Sequence, residues 1–182
     1  MPRSHRKKPS LHSMTIRPSE KISIYQPKDI LRGLLIYASG DSIAALIQDE
    51  FLFSRLLGMM VIGATIYALE IPNYFRWIDK IVPAQNGYKS TLKRTALAIL
   101  YFNPLWIARH LLFIKIITGN WGEISWNLLY LGLLSFLVNI PISLIANFII
   151  QNKIRLSWRF FASAVFSAMM AIYYALSELL FN

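Results

Sequence analysis

Five long apolar stretches constrain the fold of this chain more than any other feature of its sequence. Each has roughly the 20 residues that a helix needs to cross the hydrocarbon core of a bilayer. Their predicted bounds are 30–48, 51–71, 95–118, 126–150 and 158–181. They leave only short connections in a chain of 182 residues, of which 55% are apolar. The sequence therefore predicts an all-α protein, a polytopic transmembrane helix bundle of four to five spans, the first stretch being the weakest.

The first 28 residues form a predicted basic, flexible N-terminal tail, which precedes a transmembrane helical domain over residues 29–182. Seven Lys and Arg stand in this tail against a single acid, Glu20. Two interpretations stay open. The tail lies near anionic lipid headgroups, or it is an organellar targeting segment, although prolines at positions 2, 9 and 18 disfavour a continuous amphipathic helix.

Positive charge alternates between the connections. Counting from the tail, the connections carry seven, one, five, none and three Lys and Arg. By the positive-inside rule, the tail, the connection after Pro83 and the turn at Lys153 share one side of the membrane, which favours five spans over four. We interpret the stretch from Ile71 to Pro83 as the boundary where the second span ends, since its aromatic rings are of the kind found at headgroup level.

Seven polar residues within the predicted spans are candidates for lining a pore or forming a polar core, because such groups in hydrocarbon are costly and need partners. They are Asp41, Arg55, Asn103, Arg109, His110, Asn139 and Asn147. Asp41 either contributes to function or clamps two helices. Arg55 either extends towards the interface or pairs with Asp41. Arg109 and His110 either line a cavity that admits anions or lie near the interface.

Prolines interrupt two of the spans, and each has an asparagine within two residues. Asn103 precedes Pro104 in the third span, and Asn139 precedes Pro141 in the fourth. A proline inside a helix leaves one backbone carbonyl without its donor, and Asn103 or a neighbour can supply one. We expect a kink in each span, with the asparagines either bonding helices together or lining a pore.

Several classes of function are disfavoured by what the chain lacks. There is no cysteine, the three histidines are scattered, and no phosphate-binding loop or Ser-His-Asp arrangement occurs. We therefore expect no enzyme, no cofactor and no metal, with an enzyme acting on lipids as a minor alternative. The net charge of +10 flanks the apolar stretches, so membrane insertion explains it better than nucleic acid does. The expected partners are the lipid bilayer and either a second copy of the chain or another membrane protein.

Short motifs in a consistent order resemble the Mpv-seventeen family, which includes the twenty-two-kilodalton peroxisomal membrane protein. The matching residues are Gly40-Asp41, Arg55 with Gly58, Trp77 to Pro83, Lys93-Arg94, Pro104, Gly119-Asn120, Ala146 to Phe148, Arg159 and Tyr173. Three positions depart from the family pattern: Ala98 and Ile99 replace an Asp-Gln pair, and Pro72 stands where a His is expected.

The resemblance implies a small helical protein of an organellar membrane, either the mitochondrial inner membrane or the peroxisome. It also implies a channel-like or pore-forming function with weak selectivity. The alternative is a non-conducting membrane subunit or adaptor, in which the polar residues pack helices and the protein binds partner proteins and lipids.

Overall fold

The computed structural model describes residues 25–83 and 87–181, which are almost entirely helical. The helices are α1 (Pro27–Ile47), α2 (Phe53–Ile62), α3 (Ala68–Ile81), α4 (Tyr88–Tyr101), α5 (Pro104–Ile117), α6 (Asn127–Asn152) and α7 (Leu156–Phe181), with a π-helix at Gly63–Tyr67 and a short 3-10 helix at Trp121–Glu123. The predicted all-α helical bundle is confirmed. Residues 1–24 of the predicted tail lie outside the described residues.

Five helical segments in the described part of the chain are long and apolar enough to cross a membrane. They are α1, the continuous run from α2 through the π-helix to α3, the pair α4 and α5, α6, and α7 up to Tyr173. The protein is therefore an integral membrane protein with five candidate spans, the larger of the two predicted numbers.

The helices pack as two halves. In the first half, α7 packs mainly on α1, and α1 also packs on α2, the π-helix and α3. In the second half, α6 packs on both α4 and α5. The halves contact each other where α3 meets α4, where α2 meets α5 and where α6 meets α7. The space between the two halves becomes the candidate site described below.

Glycines allow the closest helix contacts in the first half. A Cβ added to Gly33 would lie 2.0 Å from the carbonyl oxygen of Gly63, and a Cβ on Gly63 would lie 2.3 Å from that of Gly33. A Cβ on Gly40 would lie 2.4 Å from the Cβ of Ala168. Such close approach is how helices pack in lipid, where no hydrophobic effect draws them together. The glycines of α1 therefore allow its close packing on the π-helix and on α7.

The contact between Gly33 and Gly63 gives a direct test of this packing. We expect Gly33→Ala to destabilise the protein by about 1–3 kcal/mol, because the clash is with backbone that cannot rotate away. The measurement is thermal unfolding of the purified protein in detergent, followed by circular dichroism. Gly122→Ala is the matched control, since a Cβ there would meet nothing within 4 Å. Equal unfolding temperatures for the two variants would contradict the packing role.

The predicted bound at residue 71 is wrong, but the second span still ends within the predicted boundary stretch, at Ile81. The helix does not end at Ile71 but continues through α3 to Ile81, with Pro72 inside it. Pro72 lies in regular α-helix five residues after the π-helix ends at Tyr67, and membrane helices tolerate proline when such adjustments are near. Phe75 is fully buried in the bundle, whereas Trp77 is well exposed.

The third span begins earlier than predicted, at Tyr88 instead of residue 95, so that Lys93 and Arg94 are helical rather than part of a loop. Its predicted kink is confirmed between Tyr101 and Pro104. The carbonyl that Pro104 leaves without a donor is that of Leu100, and Asn103 Nδ2 donates to it at 3.0 Å.

The fourth span behaves differently from the third. Pro141 lies inside α6, which runs as one helix from Asn127 to Asn152. Asn139 Nδ2 donates to the carbonyl of Ser135 at 2.7 Å, so this amide does not serve the carbonyl that Pro141 leaves free. The two asparagine–proline pairs therefore have different local roles.

One end of the bundle, which we call the basic end, gathers the start of α1, the end of α3 and the start of α7. Arg32 of α1 donates to the carbonyl of Ser157 at 2.8 Å, and Arg76 of α3 lies 3.9 Å from Asp29. The tail side of α1, the connection after Pro83 and the turn between α6 and α7 are thus at one end, as the charge alternation predicts.

Candidate functional site

A cavity of about 700 Å³ lies between the two halves of the bundle. Small-molecule sites usually have volumes of about 300–1,000 Å³, so the space suits a small solute. Its polar lining residues are Tyr37, Asp41, Gln48, Arg55, Trp106, His110, Ser135, Asn139, Ser143, Asn147, Ser163 and Ser167. Apolar and aromatic side chains such as Phe102, Phe136 and Phe166 complete the wall.

A row of four polar residues on α6 forms one wall of the cavity. Ser135, Asn139, Ser143 and Asn147 follow one another at intervals of four, which places them along one side of the helix. Asn139 Nδ2 donates to the carbonyl of Ser135, and Asn147 Nδ2 donates to that of Ser143 at 2.9 Å. The amide N–H groups are thus used within α6.

The carbonyl oxygens of the same asparagines remain available. Asn139 Oδ1 and Asn147 Oδ1 are buried and accept no hydrogen bond from the described residues. Trp106, on the neighbouring helix α5, has an Nε1–H that is likewise buried without a partner among them. Buried polar atoms are normally hydrogen-bonded, so water or a solute in the cavity is the remaining source of partners.

Asp41 and Arg55 form an ion pair in the cavity wall. Arg55 Nε lies 2.8 Å from Asp41 Oδ2, and Arg55 Nη2 lies 2.9 Å from Asp41 Oδ1. Both side chains are buried, with 5% of Asp41 and 9% of Arg55 exposed. Glu50, which is largely exposed, lies 3.5 Å from Arg55 Nη1. Of the two interpretations of Arg55, the structure shows the pairing with Asp41, and the two charges cancel within the cavity.

His110 lies in the cavity wall rather than at the membrane interface. Its Nδ1 is 2.8 Å from the hydroxyl of Tyr67, a fully buried residue of the π-helix. The imidazole also stacks on the Trp106 ring, with centroids 5.8 Å apart and an interplanar angle of 6°. These contacts fix the ring on both sides and join the second half of the bundle to the first.

Two of the seven candidate residues lie outside the cavity. Asn103 caps α5, accepting a hydrogen bond from the backbone N–H of Trp106 at 3.1 Å. Arg109 binds Glu70 with two hydrogen bonds of 3.0 and 2.6 Å. The structure therefore brings together Asp41, Arg55, His110, Asn139 and Asn147 and separates Asn103 and Arg109 from them.

A cluster of charged residues lies at the basic end, about one helical turn from the cavity-lining residue Ser163. Asp79 of α3 binds Arg94 of α4 and Arg159 of α7, the latter at 2.7 Å. Arg94 also donates to the carbonyl of Val82 at 2.9 Å and to that of Gln151 at 3.0 Å. We call Asp79, Arg94 and Arg159 the Asp79 cluster. It joins α3, α4, α6 and α7 at one point.

The Asp79 cluster was not among the candidates, because its arginines were counted as membrane-flanking charge. The signal that could have identified it is Asp79 itself, an acid within an otherwise basic flank. Arg94, with 2% of its side chain exposed, is the most deeply buried arginine of the cluster. A buried cation requires a counter-charge, and Asp79 provides it.

The fold and the cavity define a small polytopic membrane protein with a cavity inside its bundle that both polar and apolar side chains line. In the described residues, no three His, Asp or Glu side chains come together as a metal site would require. No family model, curated protein or solved structure matches the chain. The resemblance to the Mpv-seventeen family therefore stays a prediction.

Proposed function

We propose that this protein is a membrane channel of weak selectivity that admits small polar solutes through the cavity between its two halves. The observation that carries the proposal is the row Ser135, Asn139, Ser143 and Asn147, which follows about 18 Å of α6 along the cavity. Placing polar side chains over this length of a membrane helix costs free energy that helix packing alone does not require. Such a row is useful where water or a solute passes.

The charges of the cavity argue for weak selectivity. Asp41 and Arg55 neutralise each other, and Arg109, one of the residues expected to attract anions, is outside the cavity. Selection then depends on width and hydrogen bonding rather than on net charge. Small uncharged solutes should pass at least as well as anions of the same size.

The resemblance to the Mpv-seventeen family supports the same proposal. Several residues that carry it, namely Asp41, Arg55, Asn147 and the Asp79 cluster, are those that line or close the cavity. On this basis we propose an organellar location, in the mitochondrial inner membrane or the peroxisome.

A specific observation favours a second function, that of a non-conducting subunit or adaptor. The lining of the cavity extends towards the basic end only as far as Asn147 and Ser163. Beyond this end of the cavity lie Gln151 and Arg94, whose side chains are both buried. If the bundle is permanently closed at this end, the cavity is a binding pocket or a packing defect rather than a passage. A channel, in contrast, requires the contacts of the Asp79 cluster to separate.

Narrowing the cavity tests the channel function. We expect Ser143→Leu to reduce solute flux strongly, since the larger apolar side chain would occupy the middle of the polar row. The measurement is the release of small uncharged solutes and of chloride from vesicles that contain the purified protein.

Ser39→Leu is the matched control. It introduces the same side chain on an exposed face of α1 that is not part of the cavity, so flux should be unchanged. No flux through the unmodified, folded protein would exclude the channel function in favour of the non-conducting subunit. Equal flux through the two variants would exclude the cavity as the path.

A further inference from the structure

A charged cluster on the outer surface of the bundle is not explained by the cavity. Glu70 of α3 accepts two hydrogen bonds from Arg109 of α5 and one of 2.9 Å from the hydroxyl of Tyr101. None of the three residues lines the cavity. About a third of the Glu70 and Arg109 side chains is exposed, 36% and 33% respectively.

The depth of the pair within the bilayer makes this exposure unusual. Along its helix, Glu70 is about 16 Å from the end of α3 at Ile81, and Arg109 is about 12 Å from the end of α5 at Ile117. The two spans have 29 and 30 residues, more than the roughly 20 that cross the hydrocarbon core, and a core centred on them would contain both residues. Ionisable groups at such depth ordinarily face other protein groups or water.

Both partners of the pair keep unused hydrogen-bonding capacity. The guanidinium of Arg109 has five N–H donors, and the bonds to Glu70 use one from each terminal nitrogen. Each Glu70 carboxylate oxygen can accept more than one hydrogen bond. The pair can therefore bind a further group that carries both donors and acceptors.

We propose that this surface, consisting of Glu70, Tyr101, Arg109 and the adjoining Leu105, binds a second copy of this chain across a twofold axis. A cation and an anion side by side are self-complementary under such an axis, which places Arg109 of each copy against Glu70 of the other. The four charges then form a closed set, shielded from lipid. Leu105, which is 65% exposed one turn before Arg109, adds apolar contact beside it.

The chain contains no cysteine, so single cysteines can report on this contact. The probe is Leu105→Cys in the full chain, purified, placed in phosphatidylcholine vesicles at high dilution and exposed to a mild oxidant. We expect a disulfide-linked dimer in several-fold higher yield than for Val138→Cys. Val138, on α6, is the matched control because it is 64% exposed and also lies in the middle of its span.

The charge pair is tested on the Leu105→Cys background. Glu70→Gln should lower the dimer yield, and the exchange of charges in Glu70→Arg with Arg109→Glu should restore it. A pair that only joins α3 to α5 would change the unfolding temperature in these variants and leave the dimer yield unchanged, which would overturn the proposal. So would equal yields from Leu105→Cys and Val138→Cys, the result expected if lipid headgroups or a different protein cover the surface.

Discussion

Arg55→Met is expected to destabilise the protein by about 3–5 kcal/mol, since it leaves the Asp41 carboxylate buried without its counter-charge. The pair is bidentate and both side chains are almost fully buried, so water from the cavity can replace the guanidinium only in part. The measurement is the free energy of unfolding in detergent or the fraction of folded protein recovered from membranes.

Two further variants make the result interpretable. Asp41→Leu combined with Arg55→Met removes both charges and should recover most of the stability. Lys115→Met removes one partner of the more exposed pair with Glu123 and should cost no more than about 1 kcal/mol. If Arg55→Met were as stable as Lys115→Met, the Asp41–Arg55 pair would not be holding α1 and α2 together.

The double variant also separates the two interpretations of Asp41. Unchanged solute flux in a folded protein without either charge would identify Asp41 as a clamp between helices. Loss of flux with folding intact would identify the pair as part of the path.

Asp79→Asn is expected to have the second largest effect, lowering the free energy of unfolding by about 2–4 kcal/mol. The substitution leaves Arg94 and Arg159 close together with no negative charge between them. We place the loss below that for Arg55 because 28% of the Asp79 side chain is exposed and water can replace part of the interaction.

The same variant tests whether the Asp79 cluster closes the cavity. If the channel function is correct, weakening the contacts among α3, α4 and α7 should increase solute flux through the folded fraction. Glu123→Gln is the matched control, an identical loss of charge at an exposed pair, and should alter neither stability nor flux. Decreased flux in folded Asp79→Asn would mean that the cluster supports the path rather than blocks it.

The number and type of helices could be predicted because apolarity over about 20 residues is a local property of the sequence. The predicted helix bounds were wrong where charged residues, which the sequence alone assigns to loops, find partners in the folded bundle. Arg94 counts as a loop residue until Asp79, Val82 and Gln151 supply its partners. Pro72 similarly indicates a helix end until the preceding π-helix is known.

The candidate site was predictable for residues whose burial is costly, such as Asp41 and His110. It was not predictable for serines, because a serine in an apolar span is equally common at a helix contact. Ser163 and Ser167 of α7 are examples, since they line the cavity. The spacing of Ser135, Asn139, Ser143 and Asn147 was a readable signal, since intervals of four place side chains along one side of a helix.

The π-helix at Gly63–Tyr67 sets the rotation of everything that follows it in the second span. Successive residues of an α-helix are about 100° apart around the axis, so removing one residue from this segment would turn α3 by that angle relative to α2. Glu70 would then leave the outer surface, Phe75 would leave the core, and Asp79 would leave its partners at the basic end. The length of this five-residue π-helix therefore sets the rotation of α3, and the geometry of three separate parts of the molecule depends on it.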